Sequence, residues 1–197
     1  MATVRAYIGL GANIGDAAGT IAAAIHALAT LPGVRLRGVS RLYLTAPVGV
    51  VDQPEFHNAV VALDVPAGPD PETGASALLV ALKRLERAFG RQPRERWGPR
   101  EVDLDLLIFG RHRIEVERPP EGRSDDPEKA ALPLTVPHRE ARQRLFVLAP
   151  LEDLAPRLVP PGWGETIAAA AGRRRHVEGA DVRPIGTWKG NGWRVSA

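Results

Sequence analysis

Val102-Asp103-Leu104-Asp105-Leu106-Leu107-Ile108-Phe109 is an apolar run interrupted only by two acids, the pattern of a largely buried β-strand. Side chains alternate along a strand, so residues two apart share a face, with Cα atoms roughly 6.5 to 7 Å apart. Asp103 and Asp105 therefore project together. Neighbouring carboxylates repel, and the pair is tolerable where water or cations lie over that face. Magnesium suits it, because this hard ion takes one or two carboxylates and fills its shell with water and phosphate oxygens. The plain alternative is an exposed sheet face with two solvated aspartates, and the pair alone does not decide. The segment before it, Arg91-Gln92-Pro93-Arg94-Glu95-Arg96-Trp97-Gly98-Pro99-Arg100, carries four arginines in ten residues. Read as a solvated loop it means nothing. Read with the acids, it brings cations and metal ligands to one edge, as a polyphosphate requires.

Working outward, Pro69-Asp70-Pro71-Glu72 opens a helix whose Leu78, Leu82, Leu85 and Phe89 form one apolar stripe, with Gly90 at its end. Farther upstream, Val34 to Leu44 and Phe56 to Val65 are rich in β-branched residues and flank a loop, Thr45-Ala46-Pro47-Val48-Gly49. Arg5 to Leu10 reads as a strand stopping at Gly11 and Asn13. Asp16 then caps a helix carrying Ile21, Ile25 and Leu28, which runs to Leu31 before Pro32-Gly33. The order βαββαβ predicts a split βαβ, ferredoxin-like α/β sandwich of three layers, α-β-α, followed by a C-terminal extension. Downstream, residues 118 to 133 have the composition of a mobile surface loop. Residues 139 to 155 read as partly helical, and Thr166 to Gly172 as a short helix before an ill-defined tail, with Arg173-Arg174-Arg175 a solvated run.

The bulk composition narrows the classes. A chain of 197 residues with 44% apolar content suits one compact domain, or one with an appendage. It has no cysteine, which excludes disulfides, thiolate zinc sites and a cysteine nucleophile. No apolar stretch approaches ~18 residues and the opening MATVRAYIGLG is a poor leader, so the expected location is cytoplasmic. The net charge of +3 fits an anionic small substrate as well as nucleic acid, so placement matters more than number. The arginines cluster at 84 to 100 and 139 to 144.

Four blocks, in order, carry a resemblance. Arg96-Trp97-Gly98-Pro99-Arg100 with Asp103-Leu104-Asp105 resembles the signature of the 6-hydroxymethyl-7,8-dihydropterin pyrophosphokinases of the folate pathway. Tyr7-Ile8-Gly9-Leu10-Gly11-Ala12-Asn13-Ile14-Gly15-Asp16 resembles that family's opening strand and turn, and Asp52-Gln53-Pro54-Glu55-Phe56-His57-Asn58-Ala59 its pterin-binding segment. Val136-Pro137-His138 with Arg144-Leu145-Phe146-Val147-Leu148-Ala149-Pro150-Leu151 resembles its last motif, so the likeness spans about residues 4 to 156. The resemblance implies transfer of pyrophosphate from ATP to 6-hydroxymethyl-7,8-dihydropterin with release of AMP. It implies two Mg2+ ions held with ATP by Asp103 and Asp105, and catalytic roles for Arg91, Arg100 and the two aspartates. Glu86, Arg91, Trp97, Arg100, His138 and Arg144 would contact ATP. Phe56 and Phe146 would sandwich the pterin while Asn58 and backbone around Thr45, Ala46 and Val48 read its edge. It further implies a pyrophosphokinase domain over 1–160 with a mobile insertion at about 113–133, and an extension, 161–197, of unknown role. The expected partners are the two small-molecule substrates, with no nucleic acid and no membrane, acting on a monomer. Lys83, Pro93 and the long 113 to 133 segment depart from the family pattern.

Rival readings are weaker. Gly9-x-Gly11-x-x-x-Gly15 misses the dinucleotide spacing by one, and no GxxxxGK[ST] loop is present. An RNA-recognition module shares the βαββαβ order, but aspartates on a central strand would repel phosphates. A diverged enzyme using a related pterin is the remaining alternative.

Overall fold

A computed structural model describes residues 2–47, 52–91, 98–123 and 130–195. Strand β1 (Thr3–Ala12) leads into α1 (Ala17–Ala29), then β2 (Arg35–Val39), β3 (Leu42–Thr45) and β4 (Phe56–Pro66). Helix α2 (Pro71–Ala88) and β5 (Asp103–Phe109) complete the ferredoxin-like unit. Short strands β6 (Ile114–Val116) and β7 (Leu134–Val136) precede α3 (Leu145–Leu154) and α4 (Ile167–Glu178), and β8 (Val182–Trp188) with β9 (Trp193–Val195) ends the chain. Among the described residues, seven strands form one sheet in the order β5-β1-β4-β3-β8-β9, with β2 also on β4, and the strand pairs are antiparallel.

The local reasons are those the sequence supplies. Asp16 caps α1 by accepting from the Gly19 N–H, and Asp70 caps α2 by accepting from Thr73, with Pro71 pre-set for the first turn. Ile21, Ile25 and Leu28 of α1 and Leu78 and Leu82 of α2 pack on Ile8, Leu10, Val61, Leu63 and Phe109 on one face of the sheet. The other face buries Tyr7, Val60, Ala62 and Leu107 under Leu148 and Leu151 of α3 and Ile167, Ala170 and Ala171 of α4. Each large side chain fully buried this way contributes about 1.5 to 3 kcal/mol.

The expectations for the extended stretch and for the tail with its arginine run are corrected. The extended stretch 34 to 44 is two strands. It breaks at Ser40, whose N–H donates to the Val60 carbonyl while its hydroxyl accepts from the Val60 N–H, so Arg41 turns out to meet Asp153 of α3. The tail is ordered: β8 pairs with β3, Thr45 lying opposite Val182, and the preceding helix extends to Glu178. The arginine run is paired, Arg173 with Glu165, Arg174 with Glu178 and Arg175 with Glu152. Of the segment expected to be mobile, the described parts hold β6, which pairs with β7, and a tight turn at Pro120–Gly122 against Leu79. No helix among the described residues is long and apolar enough to cross a membrane.

Candidate active site

The face that carries α3 and α4 is left uncovered at the end of the sheet where β5 begins and β4 begins, and there a cavity of about 460 Å³ opens. Its floor follows from strand register. Asp103 lies opposite Gly11 and Asp105 opposite Gly9 on β1, while Gly11 lies opposite Asn58 on β4. The glycines put no side chain between the acids and the asparagine. A Cβ on Gly11 would sit 3.1 Å from Asn58 Oδ1, tighter than most real contacts, so that strand position is kept bare.

At the β5 end the cavity is charged. Asp103 Oδ1 accepts from Arg91 Nη1 at 2.5 Å and Oδ2 from Arg100 Nη1 at 2.5 Å. Burial by itself lowers the affinity of Arg91 for its proton, but the Asp103 and Glu86 carboxylates outweigh it and hold the guanidinium above its ordinary range. Asp105, His138 and Arg144 also face the cavity. Arg144 pairs with Glu140 and stands 5.6 Å over the Phe146 ring. His138 is fixed by its backbone N–H, which donates to the Leu107 carbonyl at 2.9 Å.

Glu86 is where the sequence reading and the structure part. Expected at the nucleotide, it is only 2% exposed and does not line the cavity. It receives Lys83 Nζ at 2.8 and 2.9 Å, the Leu104 N–H at 2.6 Å and Arg91 at 2.6 Å. Burial pushes its carboxyl up to about 7, with Lys83 pulling the other way. Glu86 thus sits behind Arg91 and the β5 backbone, fixing both. Such a buried chain of charges is a device for position more than for stability.

The opposite end is neutral. Asn58 Nδ2 donates to Thr45 Oγ1 at 2.9 Å, both residues being buried, and Ala46, Phe56, Phe146 and Val147 complete the wall. Val48 and Trp97 lie outside the described residues. The other expected site residues, Glu86 apart, all meet at this one cavity.

Several lining or bracing residues had no signal in the sequence reading. Arg118 faces the cavity with its buried Nε unpartnered in the structure, and burial lowers its proton affinity. Asn13, read only as a turn residue, donates to Gln53 Oε1 and the Pro54 carbonyl, both at 3.0 Å, and accepts from the Arg100 N–H at 2.8 Å. It ties the two ends of the cavity together. Among the described residues no cluster of three or more His, Cys, Asp or Glu could hold a metal ion. Two carboxylates on one strand face do suit a hard divalent ion completed by water and phosphate.

Acids and guanidinium groups at one end, a neutral slot at the other and no P-loop between them describe a transferase that moves a phosphate-type group onto a small acceptor. The comparisons are specific: the sequence profile of the 7,8-dihydro-6-hydroxymethylpterin-pyrophosphokinase (HPPK) family matches residues 7–156. The chain belongs to that family, and its activity is that of a pyrophosphokinase of folate biosynthesis. It is 40% identical over 166 residues to the 2-amino-4-hydroxy-6-hydroxymethyldihydropteridine pyrophosphokinase of Methylorubrum extorquens, covering 84% of this chain and 90% of that one. With the enzyme of the same name from Pseudomonas aeruginosa it shares 41% over 157 residues, 80% of this chain and 84% of that one. The wild-type Plasmodium falciparum HPPK-DHPS crystallised with pteroate has the same fold over 98% of this chain, at TM-score 0.69 and 16% identity. This chain spans about half of that one, 48%.

Proposed function

We propose that the charged end of the cavity binds Mg-ATP and the neutral end binds 6-hydroxymethyl-7,8-dihydropterin, and that the pterin hydroxyl attacks the β-phosphorus in line. The new bond joins the pterin oxygen to that phosphorus, the bond from it to the α-phosphate oxygen breaks, the hydroxyl proton passes to solvent, and AMP leaves without a covalent enzyme intermediate. The observation that carries this reading is the single cavity in which Asp103, Asp105, Arg91 and Arg100 converge a glycine-floored step away from Asn58, Phe56 and Phe146.

Asp103 and Asp105 would hold magnesium, two ions with the nucleotide, which would supply neutralisation of the phosphate charge. Arg91 and Arg100, already oriented by Asp103 and by Glu86 behind it, stabilise the negative charge of the transferring group. Arg118, His138 and Arg144 add contacts to the nucleotide, and Trp97 belongs to the same set. Phe56 and Phe146 stack on the pterin, while Asn58, whose amide is set by Thr45, reads its polar edge with backbone at Thr45, Ala46 and Val48. The RNA-binding alternative is disfavoured by the floor of the cavity: β1 and β5 present Gly9, Gly11, Asp103 and Asp105 where that function needs stacking rings. The enzyme works on these small molecules as a cytoplasmic monomer.

The test is to incubate the protein with ATP, magnesium and the hydroxymethyl dihydropterin and identify the nucleotide product. AMP in step with the pterin diphosphate is expected. ADP would mean attack at the γ-phosphorus and a different alignment.

A further inference from the structure

The family match ends at residue 156, yet both walls of the neutral slot are held from beyond it. Phe56 opens β4 directly after Glu55, and Arg183 of β8 donates to both carboxylate oxygens of Glu55, Nη1 and Nη2 each at 2.9 Å. Phe146 stands in the first turn of α3 directly after Leu145, whose N–H donates to Glu178 Oε2 at 2.8 Å. Arg144, at the start of that helix, makes no side-chain cap, so Glu178 takes the cap's place from another helix and sets a negative charge at the positive helix end. Arg174 pairs with the other Glu178 oxygen. Between the two clamps, the Asp181 carbonyl accepts from the Ala46 N–H at 3.1 Å, and Val182 packs on Tyr43, Leu145 and Ala149.

Residues 178 to 183 thus reach the Thr45–Ala46 loop, the approach to Phe56 and the approach to Phe146 within six positions. From this juxtaposition we propose that the segment is a strap that sets the spacing of the two rings, with Glu178 and Arg183 as positioning residues for the pterin. The proposal rests on the reading of Phe56 and Phe146 as pterin walls. Glu178 is the stronger member, because its bond is charge-assisted and partly buried. The Arg183–Glu55 pair is half-exposed and screened by solvent.

The experiment measures kcat, KM for each substrate, and pterin affinity in the presence of a non-hydrolysable ATP analogue. Glu178→Ala is expected to raise the pterin KM and Kd about five- to tenfold, the ratio that results if the roughly 1 kcal/mol of a helix cap is felt at the slot, while leaving the KM for ATP within about twofold. Glu178→Gln, which keeps an acceptor, restores most of the affinity. Arg183→Glu is expected to weaken pterin binding about two- to threefold, and the swapped pair Glu55→Arg with Arg183→Glu to recover it. Should Glu178→Ala fail to fold, the swapped pair still decides. Equal shifts in both KM values, or unchanged pterin affinity in folded variants, overturn the strap while the wild type still forms AMP. A wild type that forms no AMP overturns the pterin reading, and the strap with it.

Discussion

The two ends of the cavity are built from the same material, residues two apart on the strands that flank β1, and differ in what those residues carry. At the β5 end Asp103 and Asp105 meet Arg91 and Arg100; at the β4 end Phe56 and Asn58 meet Thr45 and Phe146. The charged end is tied together by ion pairs, because Asp103 holds the Arg91 and Arg100 heads and Glu86, itself held by Lys83, braces Arg91 from behind. At the neutral end the Asn58 amide donates to Thr45 Oγ1 at 2.9 Å and to the Phe56 carbonyl at 3.5 Å, with Ala46, Phe56, Phe146 and Val147 as the apolar wall. Charge that must develop in a transition state calls for preorganised cations, whereas a flat heterocycle calls for a slot of fixed spacing and one polar reader.

If that division holds, removing a group from the charged end should act on turnover. Asp105→Ala is expected to lower kcat by about 10²- to 10³-fold with the pterin affinity little changed, checked by steady-state kinetics at saturating magnesium. Near-normal turnover would break the comparison outright. Asn58→Ala belongs to the other end and should weaken pterin binding about 5- to 100-fold, since the lost partner leaves buried polar groups unmatched; isothermal titration with an ATP analogue present reads it. A comparable fall in kcat with unchanged affinity would show that Asn58 acts on the chemistry instead. Phe146→Leu keeps the bulk but removes a stacking face, and a loss of about 2- to 12-fold in the same titration is expected.

The smallest effect concerns stability. Burial raises the Glu86 carboxyl from 4.5 to about 7 in the folded protein, so its contribution is fully present below the unfolded value of 4.5 and is lost as pH rises through 7. Glu86→Gln should therefore flatten the dependence of Tm on pH between these values. A Tm profile parallel to that of the wild type would mean that Lys83 and Arg91 keep the carboxylate ionised throughout.

Periodicity was enough to read β1, α1, β4, α2 and β5, because each is long and its apolar residues keep one spacing. It also placed Asp103 and Asp105 on one face, which needs only the strand. What it missed depends on distant partners. Val182-Arg183-Pro184-Ile185-Gly186-Thr187-Trp188 contains Pro and Gly and is a strand because β3 offers it an edge. Asn13 looks like any turn residue until the fold brings Gln53, Pro54 and Arg100 around it. Glu86 lies beneath the cavity and not in its wall, because position along α2 does not say which side chain faces the cavity and which is buried under it.

The pairing of β8 with β3 has a further consequence. Without it, Leu42 to Thr45 would present an open row of amides and carbonyls beside Tyr43 and Leu42, a template for another molecule's strand. With it, the outermost strand on that side among the described residues is β9, three residues long with Arg194 at its centre, which is a poor surface for strand addition. The same hairpin covers that edge, and a chain shortened before Val182 is expected to sediment as larger species than the full chain at equal concentration.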